Sequence, residues 1–547
     1  MAYQRSRLKS ALPRRVTLGE QRRQGAPQPG DARPDHLSPL VAPLRDEQAM
    51  RARAATRTVA SKRRIQRRVT PLEVLQRPLQ AGVRKVFDLR KLLVVLGLTG
   101  LVLILPTPEG LSEVGHRALA LFVFTGTILA LEPAPLPIAA LLVPVMQIML
   151  NIDTVNGAFA PFGTPVVFLI LGSLFLAEAL RKHGLTRRLA LYAILLSRGR
   201  FDLLLLGLML ITGGLSMFVL NTATAAVLIP VAITIAQQFP RPEDGRKALI
   251  VLLLAIAHSS SLGGLATIMG SGENAIASGL LAQGVHFGFI DWMKYGLPVF
   301  LLLLPVSWLL LPRIFQLPRL IIDTTPAAQE IDRLGRLSNP EREIVVVLLL
   351  SITLWVAGAS LETLFGLPPT LLSSAVVAIG AVALLSLEEI VNWNDLRGVN
   401  WGIFFVIGAG LTLGDALTKT GASLWFARIL GPTLEQMPYV LALAVLILLA
   451  FVITQFINNV PLGAILTPVL ITLAQVTGAD PTRLVIPTIF AVALSFTLPS
   501  GSARMTLIAA TGAVESKDAI RSGLIVGLTC AGILLLFFAL LDAVGWI

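Results

Sequence analysis

From about Leu92 onwards the chain alternates long apolar blocks with short polar or charged stretches. The blocks fall near 92–105, 117–131, 137–151, 165–180, 202–237, 248–282, 296–312, 344–358, 366–387, 401–417, 438–474, 484–514 and 520–547. One helical crossing of a bilayer takes ~20 residues, so several blocks are too long to be a single span. Two of them, 202–237 and 438–474, carry a polar interruption: Leu220-Asn221-Thr222 ahead of Pro230, and Asn458-Asn459-Val460 ahead of Pro468. A polar turn at membrane depth survives only where protein or a water-filled cavity satisfies its backbone. These blocks therefore predict re-entrant helical hairpins that enter and leave on one side, with the asparagines at their tips. The blocks 248–282 and 484–514 predict crossings broken at Gly270-Ser271-Gly272-Glu273-Asn274 and at Ser500-Gly501-Ser502-Ala503-Arg504.

The likeness between the two halves extends beyond the tips. Leu171-Gly172, Glu178-Ala179-Leu180, Lys182 and Gly184 match Ile407-Gly408, Asp415-Ala416-Leu417, Lys419 and Gly421 at a nearly constant offset. One hairpin and one broken helix in each half is the pattern of an inverted-topology duplication, in which paired interruptions mark a transporter's binding site. The expected organisation is a basic tail over 1–91, a first helix plus repeat 1 over 92–312, a connector over 313–342 and repeat 2 over 343–547. Arg181, Lys182, Arg187, Arg188, Arg198 and Arg200 place the end of the fourth crossing inside, as do Arg313, Arg319, Arg333 and Arg336 for the connector. The fold class is an all-α polytopic membrane protein of about eleven transmembrane helices, with the N-terminus cytoplasmic and the C-terminus outside.

Composition agrees: 54% of the 547 residues are hydrophobic and 14% charged, with a mean hydropathy of +0.76. The net charge of +13 misleads, because residues 1–91 hold 22 of the 45 Lys/Arg and only 7 of the 32 Asp/Glu. The basic excess thus belongs to the tail, which is rich in Pro, Gln and Arg and reads as disordered and cytoplasmic. Its cluster Lys62, Arg63, Arg64, Arg67 and Arg68 is of a kind that touches anionic lipid headgroups or nucleic acid, but a solvated tail that merely sets topology is the favoured reading, and no nucleic-acid partner is expected. The single Cys530 excludes an internal disulfide framework, and five scattered histidines supply no metal cluster. No nucleophile-base, metal-ligand or phosphate-loop pattern appears, which excludes the common enzyme classes. No organic cofactor is expected.

In this order and spacing, the residues resemble the divalent anion:sodium symporter family of the ion-transporter superfamily, over roughly 92–547. The carriers are Leu131-Glu132-Pro133-Ala134-Pro135-Leu136-Pro137, Phe168-Leu169-Ile170-Leu171-Gly172 with Lys182-His183-Gly184-Leu185, and Asn221-Thr222-Ala223-Thr224-Ala225-Ala226. Asp291-Trp292-Met293-Lys294-Tyr295-Gly296-Leu297-Pro298 and Trp401-Gly402 through Gly408-Ala409-Gly410-Leu411 complete them. The resemblance implies a homodimer in the bacterial inner membrane whose transport domain moves against a fixed scaffold as an elevator. Its implied cargo is a dicarboxylate, tricarboxylate or sulfate, coupled to sodium. The sodium ligands it implies are Ser216, Asn221 and Gly270 in one half, and Thr454, Asn459 and Gly501 in the other.

Departures from the family pattern carry as much information. The family's Ser-Asn-Thr tips are Leu220-Asn221-Thr222 and Asn458-Asn459-Val460 here, so hydroxyls that contact a carboxylate are lost, and neither break keeps a proline. Glu273 and Arg504 fall at corresponding positions of the two breaks and are expected to meet. An isolated charge at membrane depth costs several kcal/mol, ~3 on insertion scales, so each charge needs a partner or a ligand. Arg504 clamping the anion, Glu273 carrying a coupling proton, and the two forming a structural pair all stand open. The candidate substrate-binding residues are Asn221, Thr222, Asn458, Asn459, Glu273, Ser502 and Arg504. A proton-coupled or exchanging carrier, with Glu273 or His258 titrating, is the nearest alternative function. A non-transporting membrane scaffold or sensor is the second.

Overall fold

The computed structural model of the protein describes residues 87–283 and 287–546, and the basic tail falls almost wholly outside them. Every described element is helical; the one extended pairing is an isolated antiparallel bridge between Arg200 and Ile321. The chain begins with α1 (Leu89–Ile104), α2 (Glu113–Leu131) and α3 (Leu136–Met149). Asp88 starts α1 by accepting from the Arg90 and Lys91 N–H groups, and Ser112 starts α2 by accepting from that of Gly115. Side chains thus satisfy first-turn donors that no helical carbonyl reaches. The short α4 (Val155–Phe159) leads, across a 44° bend, to α5 (Pro165–Lys182).

Next come α6 (Leu185–Leu196), the paired helices α7 (Phe201–Ser216) and α8 (Asn221–Ala236), and then α9 (Pro242–Gly264) with α10 (Gly272–Leu281) beyond a break. After α11 (Phe289–Ile314), the connector holds α12 (Thr325–Leu334), followed by α13 (Asn339–Phe365), α14 (Ser374–Leu387) and the short α15 (Trp393–Arg397). The same order of elements then returns: a long helix α16 (Gly402–Lys419), then α17 (Ala422–Glu435), and a helix pair α18 (Tyr439–Thr454) and α19 (Asn459–Val476). A second split helix follows, α20 (Thr482–Val492) with α21 (Ala503–Ala510), and α22 (Ser516–Ala543) closes the chain.

Seven described helices are long and apolar enough to cross a membrane, or eight if the bent pair through α5 counts as one span. Their surroundings differ. The apolar window of α9 is 89% buried, whereas that of α13 is only 28% buried and those of α11 and α22 33%. A helix that is apolar all round and exposed belongs against lipid, while one equally apolar and enclosed forms the protein's interior. The split helix α9 therefore lies at the centre, with α11, α13 and α22 presenting apolar faces outward. A smaller apolar cluster joins α1, α2 and α3 to Val406, Ala409, Leu413 and Ala416 of α16.

Charged residues fasten the ends of helices. Arg188 of α6 is buried and donates to both carboxylate oxygens of Glu341, at 2.9 and 3.2 Å, and to the Gly335 carbonyl at 2.8 Å, tying the connector to the first half. The Lys182 ammonium, bonded at 2.6 Å, holds the Asp395 carboxyl below the usual carboxylate range. The repeat-related acids Glu178 and Asp415 pair with Arg181 at 2.5 Å and with Lys419 at 2.6 Å, each at the C-terminal end of its helix.

Candidate functional site

Four residues, 217–220, separate α7 from α8, and the split between α9 and α10 lies against them. Asn221 is the first residue of α8, is only 6% exposed, and its backbone N–H donates to the Gly270 carbonyl at 3.3 Å. Its side-chain amide points among three oxygens: Ser216 Oγ at 2.7 Å, Ser260 O at 2.8 Å and Gly270 O at 2.9 Å. With nitrogen inward the amide donates to these groups. With Oδ1 turned inward instead, only Ser216 Oγ has a proton to give, and the amide oxygen would join the other three as a neutral ligand of a hard cation. The close approach needs glycine at 264, because a Cβ there would collide with the Asn221 amide. The expected trio Ser216, Asn221 and Gly270 is brought together, and the Ser260 carbonyl joins it.

The second helix pair repeats this with a difference. Thr454 Oγ1 lies 2.9 Å from Asn459 Oδ1 and 2.7 Å from the Val492 carbonyl at the end of α20. Gly501 is packed so closely on this tip that a Cβ would stand 2.6 Å from the Thr454 carbonyl. Thr454, Asn459 and Gly501 are thus also together. Asn459 Nδ2, however, donates to Glu273 Oε1 at 3.1 Å, across from the first break. The segment 270–273 consequently touches both tips: Gly270 meets Asn221, Glu273 meets Asn459, and Gly272 abuts Val460.

The expected meeting of Glu273 and Arg504 is not what forms. Both are buried, at 2% and 3% exposure, yet they make no ion pair; the Arg504 Nη2 group donates to Ala493 O at 3.0 Å, Ser495 Oγ at 2.9 Å and Ser495 O at 3.4 Å. The physical reason lies in the broken helix itself. The last carbonyls of α20 have no intrahelical donors and carry the negative end of the helix dipole, so they draw the guanidinium back across the break. Asn274 plays the like part in the first break, donating to Gly264 O at 2.9 Å and Thr267 O at 2.8 Å. The first break has no proline, but the second, contrary to the expectation from the sequence, keeps Pro499 in the short turn ahead of Ser502.

The remaining candidates separate by what they touch. Asn458 caps α19, accepting from the Val460 N–H, and Thr222 is half-buried in the first turn of α8. Ser271 and Ser502 stand at the starts of α10 and α21 with buried hydroxyls that find no hydrogen-bond partner among the described residues, and the same holds for Arg504 Nε. His258 packs as a core side chain: Nδ1 lies 3.1 Å from Ser307 Oγ and the ring stacks on Phe496 at 4.1 Å between centroids. Gly263 lets α9 approach the backbone of Gly213 in α7.

Gln455 escaped the sequence reading. Its amide donates to Phe451 O at 2.7 Å and Leu494 O at 3.2 Å, and its oxygen accepts from Phe496 N, Thr497 N and Thr497 Oγ1. One side chain thereby satisfies the unwound backbone of the second break. A polar amide directly after Thr454 in an apolar block was the signal available. Gln455→Leu is expected to lower stability by about 2 kcal/mol, since each buried group left unpaired costs about 1–3 kcal/mol. A lowered melting temperature of the purified protein is the check; an unchanged one rejects this role.

Helix pairs that meet at polar tips, and split helices whose broken ends are held by side chains, are the architecture of a membrane transporter. Residues 87–546 match the family model of the sodium:sulfate symporter transmembrane region, so the chain belongs to the divalent anion:sodium symporter family. It is 30% identical over 423 residues to an uncharacterized transporter of Haemophilus influenzae, covering 76% of this chain and 89% of that one. It is 27% identical over 450 residues to the sodium-dependent dicarboxylate transporter SdcS of Staphylococcus saprophyticus, covering 78% of this chain and 86% of that protein. The solved structure of Neisseria gonorrhoeae MtrF aligns with a TM-score of 0.53 at 13% identity, over 82% of this chain and 94% of that chain, which is a likeness of fold.

Proposed function

We propose that the protein is a sodium-coupled secondary active symporter of a small anion: a dicarboxylate, a tricarboxylate or sulfate. The observation that carries this reading is the ring of oxygens about Asn221, formed by Ser216 Oγ, Gly270 O and Ser260 O around the amide. Sodium is a hard cation, and uncharged oxygens from an amide, a hydroxyl and unwound carbonyls suit it. Thr454 and Asn459, with Gly501 and the Val492 carbonyl beside them, provide the second cation position.

The anion sits between the two tips. The starts of α10 and α21 bring N–H groups and the unpartnered hydroxyls of Ser271 and Ser502 to it, and Arg504 adds a positive charge with Nε unspent. Thr222 and Asn458 border the same space from the two tips. Sodium without the anion leaves the moving part too charged to pass the apolar interior cheaply, and the anion alone is equally excluded. Coupling follows from that penalty. The protein works as a homodimer in the bacterial inner membrane, with its N-terminus cytoplasmic and its C-terminus outside. The tips and broken helices move together as an elevator against the remaining helices.

The test is a thermal-stability screen of the purified protein against succinate, citrate and sulfate, each with sodium and with choline. Stabilisation that requires both solutes is expected, reaching about 2.7 kcal/mol when the ligand stands at a hundredfold its Kd. Stabilisation by an anion equally in choline rejects sodium coupling, and no response to any anion in sodium rejects the substrate class.

A further inference from the structure

We propose that Glu273 supplies a negative charge to the second cation position, at Thr454 and Asn459, so that the two positions are chemically unequal. The proposal rests on the sodium reading above and adds a ligand that the family's motif does not imply. Glu273 is 2% exposed at the start of α10, and no basic side chain among the described residues forms an ion pair with it. The nearest candidate, Arg504, is engaged with Ala493 and Ser495. The carboxylate instead accepts from Asn459 Nδ2 at 3.1 Å, while the same amide presents Oδ1 to Thr454 at 2.9 Å. Carboxylate, amide oxygen and hydroxyl thus belong to one contiguous group.

Its placement is enforced by packing. Gly463, in the second turn of α19, leaves room for the side chain: a Cβ at that position would come within 2.7 Å of Glu273 Cβ. One residue earlier, a Cβ at Gly272 would come within 2.9 Å of the Val460 side chain, on the same helix. The first turn of α10 is therefore pressed onto the start of α19, and the carboxylate cannot swing away to water. A charge so enclosed at membrane depth needs a cation against it. At the first tip nothing equivalent stands among the described residues: Asn221 meets only neutral oxygens, and the residue matching Glu273 in the other break is Arg504, which turns to its own helix end.

Two consequences follow. Ligand charge raises cation affinity, so the Thr454–Asn459 position binds sodium more tightly than the Ser216–Asn221 position. An anion approaching before that position is filled meets like charge from Glu273, so the cation there binds first and the anion second.

The experiment titrates sodium, with choline making up the salt, into full-length purified protein without any anion and reads melting temperature. Two sodium-dependent components are expected. Glu273→Gln keeps an acceptor for Asn459 but removes the charge, and should weaken the tighter component by about tenfold or more. Ser216→Ala should move only the weaker one. Glu273→Asp, which keeps the charge, covers the case in which the glutamine variant fails to fold; it should retain both components with a smaller shift. A glutamine variant that titrates as the unsubstituted protein overturns the proposal, as does an aspartate variant that loses the tighter component altogether. A protein that sodium never stabilises overturns the sodium reading itself, an outcome distinguishable from either.

Discussion

Replacing Asn221 with alanine is expected to abolish sodium-driven uptake and to lower stability by about 3–5 kcal/mol, because the side chain is a joint of the first tip and, on the proposed function, also a ligand. It is the group to which Ser216 Oγ, Ser260 O and Gly270 O all turn. Its removal leaves two carbonyls and a hydroxyl buried without their partner, at about 1–3 kcal/mol each, and opens the contact that requires glycine at 264. On the proposed function it also takes one oxygen of four from the cation position. Uptake into proteoliposomes under a sodium gradient, alongside melting temperature, measures both parts. Asn221→Asp keeps the one side-chain oxygen and replaces the amide nitrogen with a second, and should still respond to sodium by thermal shift, even where uptake is lost. Sodium-driven uptake that survives Asn221→Ala shows that the first tip does not carry the ion.

Arg504 presents the second large effect, and its two roles separate by substitution. As a staple, it neutralises the carbonyl end of α20 through Ala493 O and Ser495. As an anion ligand, it acts through the N–H groups that no protein atom accepts from, Nε among them. Arg504→Met removes both and is expected to cost about 2–4 kcal/mol of stability, since Ala493 O and Ser495 are left buried without their donor at about 1–3 kcal/mol each, together with anion binding. Arg504→Lys can still reach the α20 carbonyls with a compact ammonium, so most of the stability should return. Anion affinity should not, because the planar fork is gone. If Arg504→Lys binds the anion as the unsubstituted protein does, fork recognition is excluded; if Arg504→Met unfolds no more readily, the staple is excluded.

How far the sequence could be read depends on the kind of interaction. Asn221 and Asn459 were legible because polar residues inside apolar blocks are expensive and so announce themselves. The breaks were legible in the same way: Gly270 through Asn274 and Ser500 through Arg504 interrupt otherwise apolar segments. The hydroxyls at Ser216 and Thr454 came from the family likeness, and each is found beside its asparagine, at 2.7 and 2.9 Å. The carbonyls of Ser260 and Val492 were not legible, since every residue has a carbonyl and only the fold chooses which one faces inward. Gln455 was visible as a residue but not as a clamp, because four of its five bonds run to Leu494, Phe496 and Thr497, groups that only the break of α20 exposes.

The chain's own pattern determined the class of molecule. Block lengths, paired interruptions and the confinement of basic excess to the tail are constraints that the bilayer imposes on any sequence, so they can be read without coordinates. Which charge meets which was decided only in the folded protein. Equivalent positions in the two halves suggested that Glu273 and Arg504 would pair, yet the carboxylate went to Asn459 and the guanidinium to the open end of α20. Duplication in sequence preserves the order of residues, but hydrogen bonds are settled by whichever donor and acceptor the packing of four helix ends leaves nearest and unsatisfied.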